Sequence, residues 1–130
     1  MPITYRIDVP DRLIRTTCYG HVTLEEIHAH FDELRGAWPP VAKLDVLLDL
    51  TCYTSIPQIW ELREAASRIG MFGGRERFRR CAIIAHRELL YGLLRVFELF
   101  VDRNFVAVRV FRNEHDAMDW LRKRPLAKAG

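Results

Sequence analysis

The chain opens with two short alternating runs. Ile3 to Asp8 and Leu13 to Tyr19 each place apolar side chains at about every second position, the period of a half-buried strand. Val9-Pro10-Asp11 between them has turn chemistry, so the pair reads as a hairpin or as neighbouring strands. After Gly20 the period lengthens. Leu24, Ile27, His28, Phe31 and Leu34 recur at helical spacing, with Glu25, Glu26, Asp32, Glu33 and Arg35 on most of the other face. Thr23 and Glu26 form a T-x-x-E capping box that satisfies the first free amides. The helix should stop near Gly36, ahead of Pro39 and Pro40.

Asp45 to Leu50 is a nearly continuous apolar run, as expected of a strand covered on both faces. Ser55 and Gln58 read as the capping box of a second helix with Ile56, Ile59, Leu62, Ala66 and Ile69 as its stripe and Gly70 at its end. Cys81 to Ala85 reads as another buried strand. Glu88 to Arg103 reads as a third helix with a broad apolar face, and Phe105 to Phe111 as a strand with Val106, Val108 and Val110 on one face. Asn113 caps a last helix carrying Ala117, Met118, Trp120 and Leu121.

The resulting order, β-β-α-β-α-β-α-β-α, calls for a single α/β domain. It predicts a mainly parallel sheet, an antiparallel edge strand and about four helices. The domain is expected to span residues 1–125, with 126–130 a frayed tail. A chain of 130 residues, 49% hydrophobic and 28% charged, can bury a core without disulfide or metal staples. No signal peptide is visible, and Arg95, Glu98, Asp102, Arg103 and Arg109 interrupt the most apolar stretch, so a cytoplasmic protein without a membrane span is expected.

Candidate chemistry is sparse. Cys18, Cys52 and Cys81 are far apart and make no C-x-x-C, and the five histidines give no H-E-x-x-H, so no metal or other cofactor is expected. His28, on the apolar face of its helix, reads as packed. Asp49 and His86 fall at or just past the ends of buried strands, where open α/β sheets bind ligands. With Thr51, Thr54 and Ser55 they could line one crevice. Asp49, His86 and Ser55 also spell the parts of a hydrolase or transferase, but without a G-x-S-x-G elbow. In the glycine-rich Gly70–Gly74 connection, Met71 and Phe72 could cover an apolar pocket or join a partner surface. Arg75, Arg77, Arg79 and Arg80 around Phe78 make the densest positive patch. A weak nucleic-acid contact there is the lesser alternative, since the net charge is only +3 and aromatic residues are not interleaved in the manner of an RNA-binding sheet. The apolar face of the third helix reads first as core packing between the sheet and a neighbouring helix; alternatively, part of its Leu90, Leu94, Phe97 and Val101 surface could meet a second subunit in a homodimer, and Tyr91-Gly92 could admit a close approach.

The element order resembles the STAS-like fold of anti-sigma-factor antagonists, and within it the SpoIIAA-like (STAS/SEC14) family of bacterial proteins. The likeness is carried by Gly20-His21-Val22-Thr23-Leu24-Glu25-Glu26, Leu47-Leu48-Asp49-Leu50, Cys81-Ala82-Ile83-Ile84-Ala85, Val110-Phe111-Arg112 and Asp116-Ala117-Met118-Asp119-Trp120-Leu121. It implies a regulatory or ligand-binding module more readily than an enzyme, with a protein partner or a small apolar, lipid-like ligand. It also implies a phosphorylated hydroxyl at the helix that follows the central strand. The Asp-Ser-Ser-Gly pattern of the antagonists is absent, and Ser55 is the best positional match, with Thr54 and Thr51 behind it.

Overall fold

The computed structural model describes residues 2–40 and 43–123; the expected 126–130 tail lies outside the described residues. Five strands form one sheet: β1 (Ile3–Asp8), β2 (Leu13–Cys18), β3 (Leu44–Asp49), β4 (Phe78–Ile84) and β5 (Ala107–Phe111). Their spatial order is β1-β2-β3-β4-β5, the order of the chain. β1 is antiparallel to β2, with Ile3 opposite Cys18 and Asp8 opposite Leu13, and the other pairs are parallel. Four helices connect or follow them: α1 (Leu24–Ala37), α2 (Ile59–Phe72), α3 (Glu88–Val101) and α4 (Glu114–Arg122).

Strands added in one direction by crossovers of one hand must leave their helices on one face. α1, α2 and α3 accordingly share the larger core, built on Ile14, Leu44, Cys81, Ile83 and Val110 of the sheet. Among the described residues α4 alone covers the other face, over Leu13, Leu47, Ala82 and Ile84. β3 and β4 are therefore covered on both sides, which explains the apolar runs Val46–Leu48 and Cys81–Ile84 within them.

Two caps form as expected. Thr23 accepts from the Glu26 amide while Glu26 accepts from the Thr23 amide, and Asn113 accepts from the Asp116 amide at 2.8 Å. Ser55 does not cap α2. Pro57 keeps Ile56 out of the helical region, the helix starts at Ile59, and Glu61 Oε1 accepts from the Gln58 amide at 2.8 Å. α2 also runs past Gly70 to Phe72, closed by Gly73 at φ +146°. β5 starts at Ala107, later than expected. Val106 is exposed and does not share the buried face of Val110.

The broad apolar face of α3 packs as core. Leu90, Leu94, Phe97 and Val101 are buried in the protein's own core, so they are not available to a second subunit. Nothing approaches Gly92 within 4 Å of where a Cβ would stand. The packed imidazole of α1 is His30, edge-on to Tyr5 and Phe31 with ring centroids 5.4 and 5.3 Å away. His28 instead faces Glu64 of α2 at 3.9 Å.

The arginine patch is largely spent on internal partners. Arg80 is 5% exposed and donates to the carbonyls of Trp120, Leu121 and Lys123 at the end of α4. Arg79 lies 3.6 Å from Asp45, Arg77 lies over the Phe72 and Trp38 rings, and Arg75 donates to the Asp102 carbonyl.

Candidate functional site

The loops that leave β2, β3, β4 and β5 for their helices open at the carboxyl ends of the strands, along one rim of the sheet. Asp49 is the last residue of β3. Its Oδ1 accepts from the Thr51 amide at 2.9 Å and the Thr51 hydroxyl at 2.7 Å, an arrangement that turns the chain sharply. The loop then runs beside Gly20: the Gly20 amide donates to the Cys52 carbonyl and the Thr54 amide to the Gly20 carbonyl, each at 2.9 Å. Gly20 sits at φ +60°, a backbone setting that favours glycine.

This path brings Ser55 Oγ to 2.6 Å from His21 Nδ1. From the other side, Arg87 Nη2 donates to the Tyr53 carbonyl at 3.1 Å and to the Ser55 carbonyl at 2.7 Å. Ser55 is thus held between an imidazole on the β2–α1 loop and a guanidinium on the β4–α3 loop.

His86 belongs to a different cluster. Its Nδ1 lies 2.7 Å from the Arg112 carbonyl, which can only accept, so Nδ1 carries the proton. Arg112 is paired bidentately with Glu88 at 2.9 and 3.2 Å and lies 4.1 Å above the Tyr91 ring. Among the described residues Asp49, Ser55 and His86 share no hydrogen bond: Asp49 holds Thr51, Ser55 meets His21, and His86 holds the Arg112 carbonyl. The Asp49–His86–Ser55 relay expected of a hydrolase is not assembled.

Met71 and Phe72 lie at the opposite end of the molecule, because α2 runs back from the rim to the amino ends of the strands. Phe72 is 2% exposed and stacks on Phe78, the first residue of β4, with centroids 5.8 Å apart. It is core, against the expectation of a surface residue. Met71 is 67% exposed. Neither joins the rim.

Between the sheet and α1–α3 lie two apolar cavities, of about 150 and 130 Å³. Cys18, Ile27, Leu48, Ala65 and Phe97 line both, so the two spaces share a wall. The larger lies beneath α1 and α2; the smaller reaches the rim at Tyr53, Pro57 and Glu61. Burial pushes the Cys18 thiol up to about 12, with the nearby Asp49 charge adding to the effect, and burial likewise raises Cys81. Both are poor nucleophiles for that reason. Among the described residues no group of three or more His, Cys, Asp or Glu is placed to hold a metal ion.

Sequence reasoning missed His21 and Arg87 because their partners lie 34 residues and 32–34 residues away. Ile56 and Ile59, expected in the apolar stripe of α2, and Leu89, expected on the apolar face of α3, are exposed instead, and Trp60 beside them, exposed too, was missed. The cavities left no local signal, since their walls come from all three covering helices.

No helix among the described residues is long and apolar enough to cross a membrane. No match was found among curated proteins. A crystal structure of an uncharacterised DUF3478-family protein with a SpoIIAA-like fold, from Shewanella loihica PV-4, is 25% identical. It matches with a TM-score of 0.64 over 92% of this chain and 93% of that one. An anti-sigma factor antagonist from Mycobacterium paratuberculosis, 15% identical, shares the fold with a TM-score of 0.59 over 93% of this chain and 95% of its own. The SpoIIAA-like family model matches residues 13–122, every element from β2 to α4, and the chain belongs to the SpoIIAA-like family.

Proposed function

We propose that this SpoIIAA-like domain is a non-catalytic binding module whose ligand is a compact apolar molecule, or the end of an alkyl chain, held between the sheet and α1–α3. The observation that carries the reading is the pair of apolar cavities sharing a wall. Well-packed interiors hold few voids larger than a water molecule, whereas an apolar cavity of about 150 Å³ stays dry and accepts a benzene-sized guest. The polar groups at the rim are occupied with one another, which favours binding over turnover. The rim would report the bound state to a protein partner through the exposed Ile56, Ile59, Trp60 and Leu89 beside it.

The test is fluorobenzene binding followed by fluorine NMR, in the wild type and in Ala65→Leu, which extends a side chain into the wall common to both cavities. Saturable binding to the wild type, lost in an Ala65→Leu protein that still melts cooperatively, is the expected result. A wild type that takes up no fluorobenzene refutes the reading, as does turnover of a substrate that disappears in Asp49→Ala or His86→Ala.

A second reading concerns Ser55 as a phosphosite. It is favoured by the imidazole of His21 and the guanidinium of Arg87 on either side of that residue. A phosphate on Ser55 would carry about −1.5 to −2 charges and would find the His21 imidazole and the Arg87 guanidinium within side-chain reach. Phosphoserine installed at position 55 should raise the melting temperature, and the gain should shrink in His21→Ala and in Arg87→Ala. A gain insensitive to both replacements, or no gain, counts against it.

A further inference from the structure

The two seams that roof the cavities are built differently. α2 meets α3 through Leu62, Ala66, Leu94 and Phe97 of one buried cluster. Arg63 lies over the Phe100 ring at 5.1 Å, and Asn104 donates to the Ala66 carbonyl. α1 meets α2 through Phe31 and Phe72, with ring centroids 5.3 Å apart, and across a ladder of polar pairs. His28 faces Glu64 at 3.9 Å and, four residues on along both helices, Asp32 faces Arg68 at 3.8 Å.

Both rungs are too long to be hydrogen bonds. His28 Nε2 and Arg68 Nε are nonetheless covered and, among the described residues, have no hydrogen-bond partner. A covered polar atom without a partner has given up its water without return. Parting α1 from α2 returns these atoms to water and offsets part of the cost of opening, whereas parting α2 from α3 exposes carbon surface with no such return. Directly beneath the ladder, Ile27, Phe31 and Leu34 of α1 and Ala65 and Ile69 of α2 line the larger cavity.

We infer that the α1–α2 seam, along His28–Glu64 and Asp32–Arg68, is the portal through which an apolar guest reaches the cavities. The inference rests on the ligand-binding reading above and adds the route. The rim at Tyr53 and Glu61 is the competing way in. It is strapped on both sides by the backbone bonds to Gly20 and the Arg87 bonds to Tyr53 and Ser55.

The experiment bridges the seam. Asp32→Cys and Arg68→Cys are introduced into a Cys52→Ser background and joined with a bis-maleimide reagent whose spacer contains a disulfide. Fluorobenzene exchange is measured before bridging, after it, and after the spacer is cleaved. The portal predicts at least tenfold slower uptake and release in the bridged protein, recovery on cleavage, and little change in affinity, because a gate alters both rates alike. Recovery on cleavage also establishes that the bridged protein was folded.

A second variant, His28→Leu with Glu64→Leu, replaces a rung with carbon contact; it should slow exchange and raise the melting temperature. Exchange as fast through the bridged seam as through the open one overturns the portal and leaves the ligand reading standing. Absence of binding in the unbridged wild type overturns both.

Discussion

Arg80 offers a sharp test of how this sheet is held together. Its side chain is almost fully enclosed and donates to the carbonyls of Trp120 at 3.2 Å, Lys123 at 2.8 Å and Leu121. These acceptors belong to the last turn of α4, where carbonyls lack partners within the helix. Hydrogen bonds from a charged donor contribute about 1.5–3 kcal/mol each. Arg80→Met keeps most of the volume and removes every such donor, and the helix end regains some water. Three such bonds are lost while hydration of the freed carbonyls returns part of their worth, which leaves a net loss of about 3–5 kcal/mol. For a domain of this size that corresponds to a fall in Tm of about 10–20 °C.

Arg80→Lys should recover only part of the loss, because a point charge cannot replace the planar fork. Arg79→Met is the internal control. That side chain is 36% exposed and its contact with Asp45 is 3.6 Å, so the loss should stay below about 1 kcal/mol. Thermal melts followed by circular dichroism, with near-ultraviolet signal from Trp120 beneath Arg80, compare the three. An Arg80→Met protein that melts with Arg79→Met refutes the assignment of Arg80 as the anchor of α4.

Three further outcomes are expected. Burial holds the His30 pKa below its ordinary 6.5, against an opposing pull from Glu33, so the unfolded chain binds the proton first as pH falls. The contribution is complete above pH 6.5 and is lost as pH falls through the folded value, so urea melts on either side of pH 6.5 should show a shallower acid decline in His30→Phe; parallel declines contradict this. Gly92→Ala, in open space inside α3, should stabilise by about 0.5–1 kcal/mol, whereas Gly73→Ala should destabilise, because its Cβ would meet Arg77 at 2.8 Å at a φ of +146°. Chemical denaturation decides, and shifts of the same sign would sink the pairing. Finally, of Cys18, Cys52 and Cys81 only the exposed Cys52 should react rapidly with a thiol reagent near pH 8, and Cys52→Ser should abolish the fast phase. A fast phase that survives the replacement argues otherwise.

The strands and helices were legible because burial imposes its period on the sequence. The alternation of Ile3–Asp8 marks an edge strand, and the solid run at Leu47-Leu48 marks one covered on both sides. Thr23 and Asn113 announced their helices because capping is local chemistry. Ser55 misled for the same reason: its spacing to Gln58 imitates a cap, but Pro57 forbids one and releases the hydroxyl to a histidine 34 positions away. Arg79 and Arg80 look alike in sequence, yet adjacent strand residues face opposite sides of the sheet, so one is enclosed and the other half-exposed. Phe72 looked like a loop residue because the glycines after it draw the eye; α2 runs one turn further than Gly70 suggested and carries it into the core. Such pairings exist only once the layers are stacked.

The strand order also governs how the molecule can be made. Each strand pairs with the one translated just before it, so a chain leaving the ribosome meets its template already laid down, and no segment must wait for a distant partner. The exception is the back of the sheet. Leu47, Ala82 and Ile84 have no cover until residues 114–122 emerge. A nascent chain stalled before that point displays a greasy plate to its neighbours, and it is there that chaperone protection matters most.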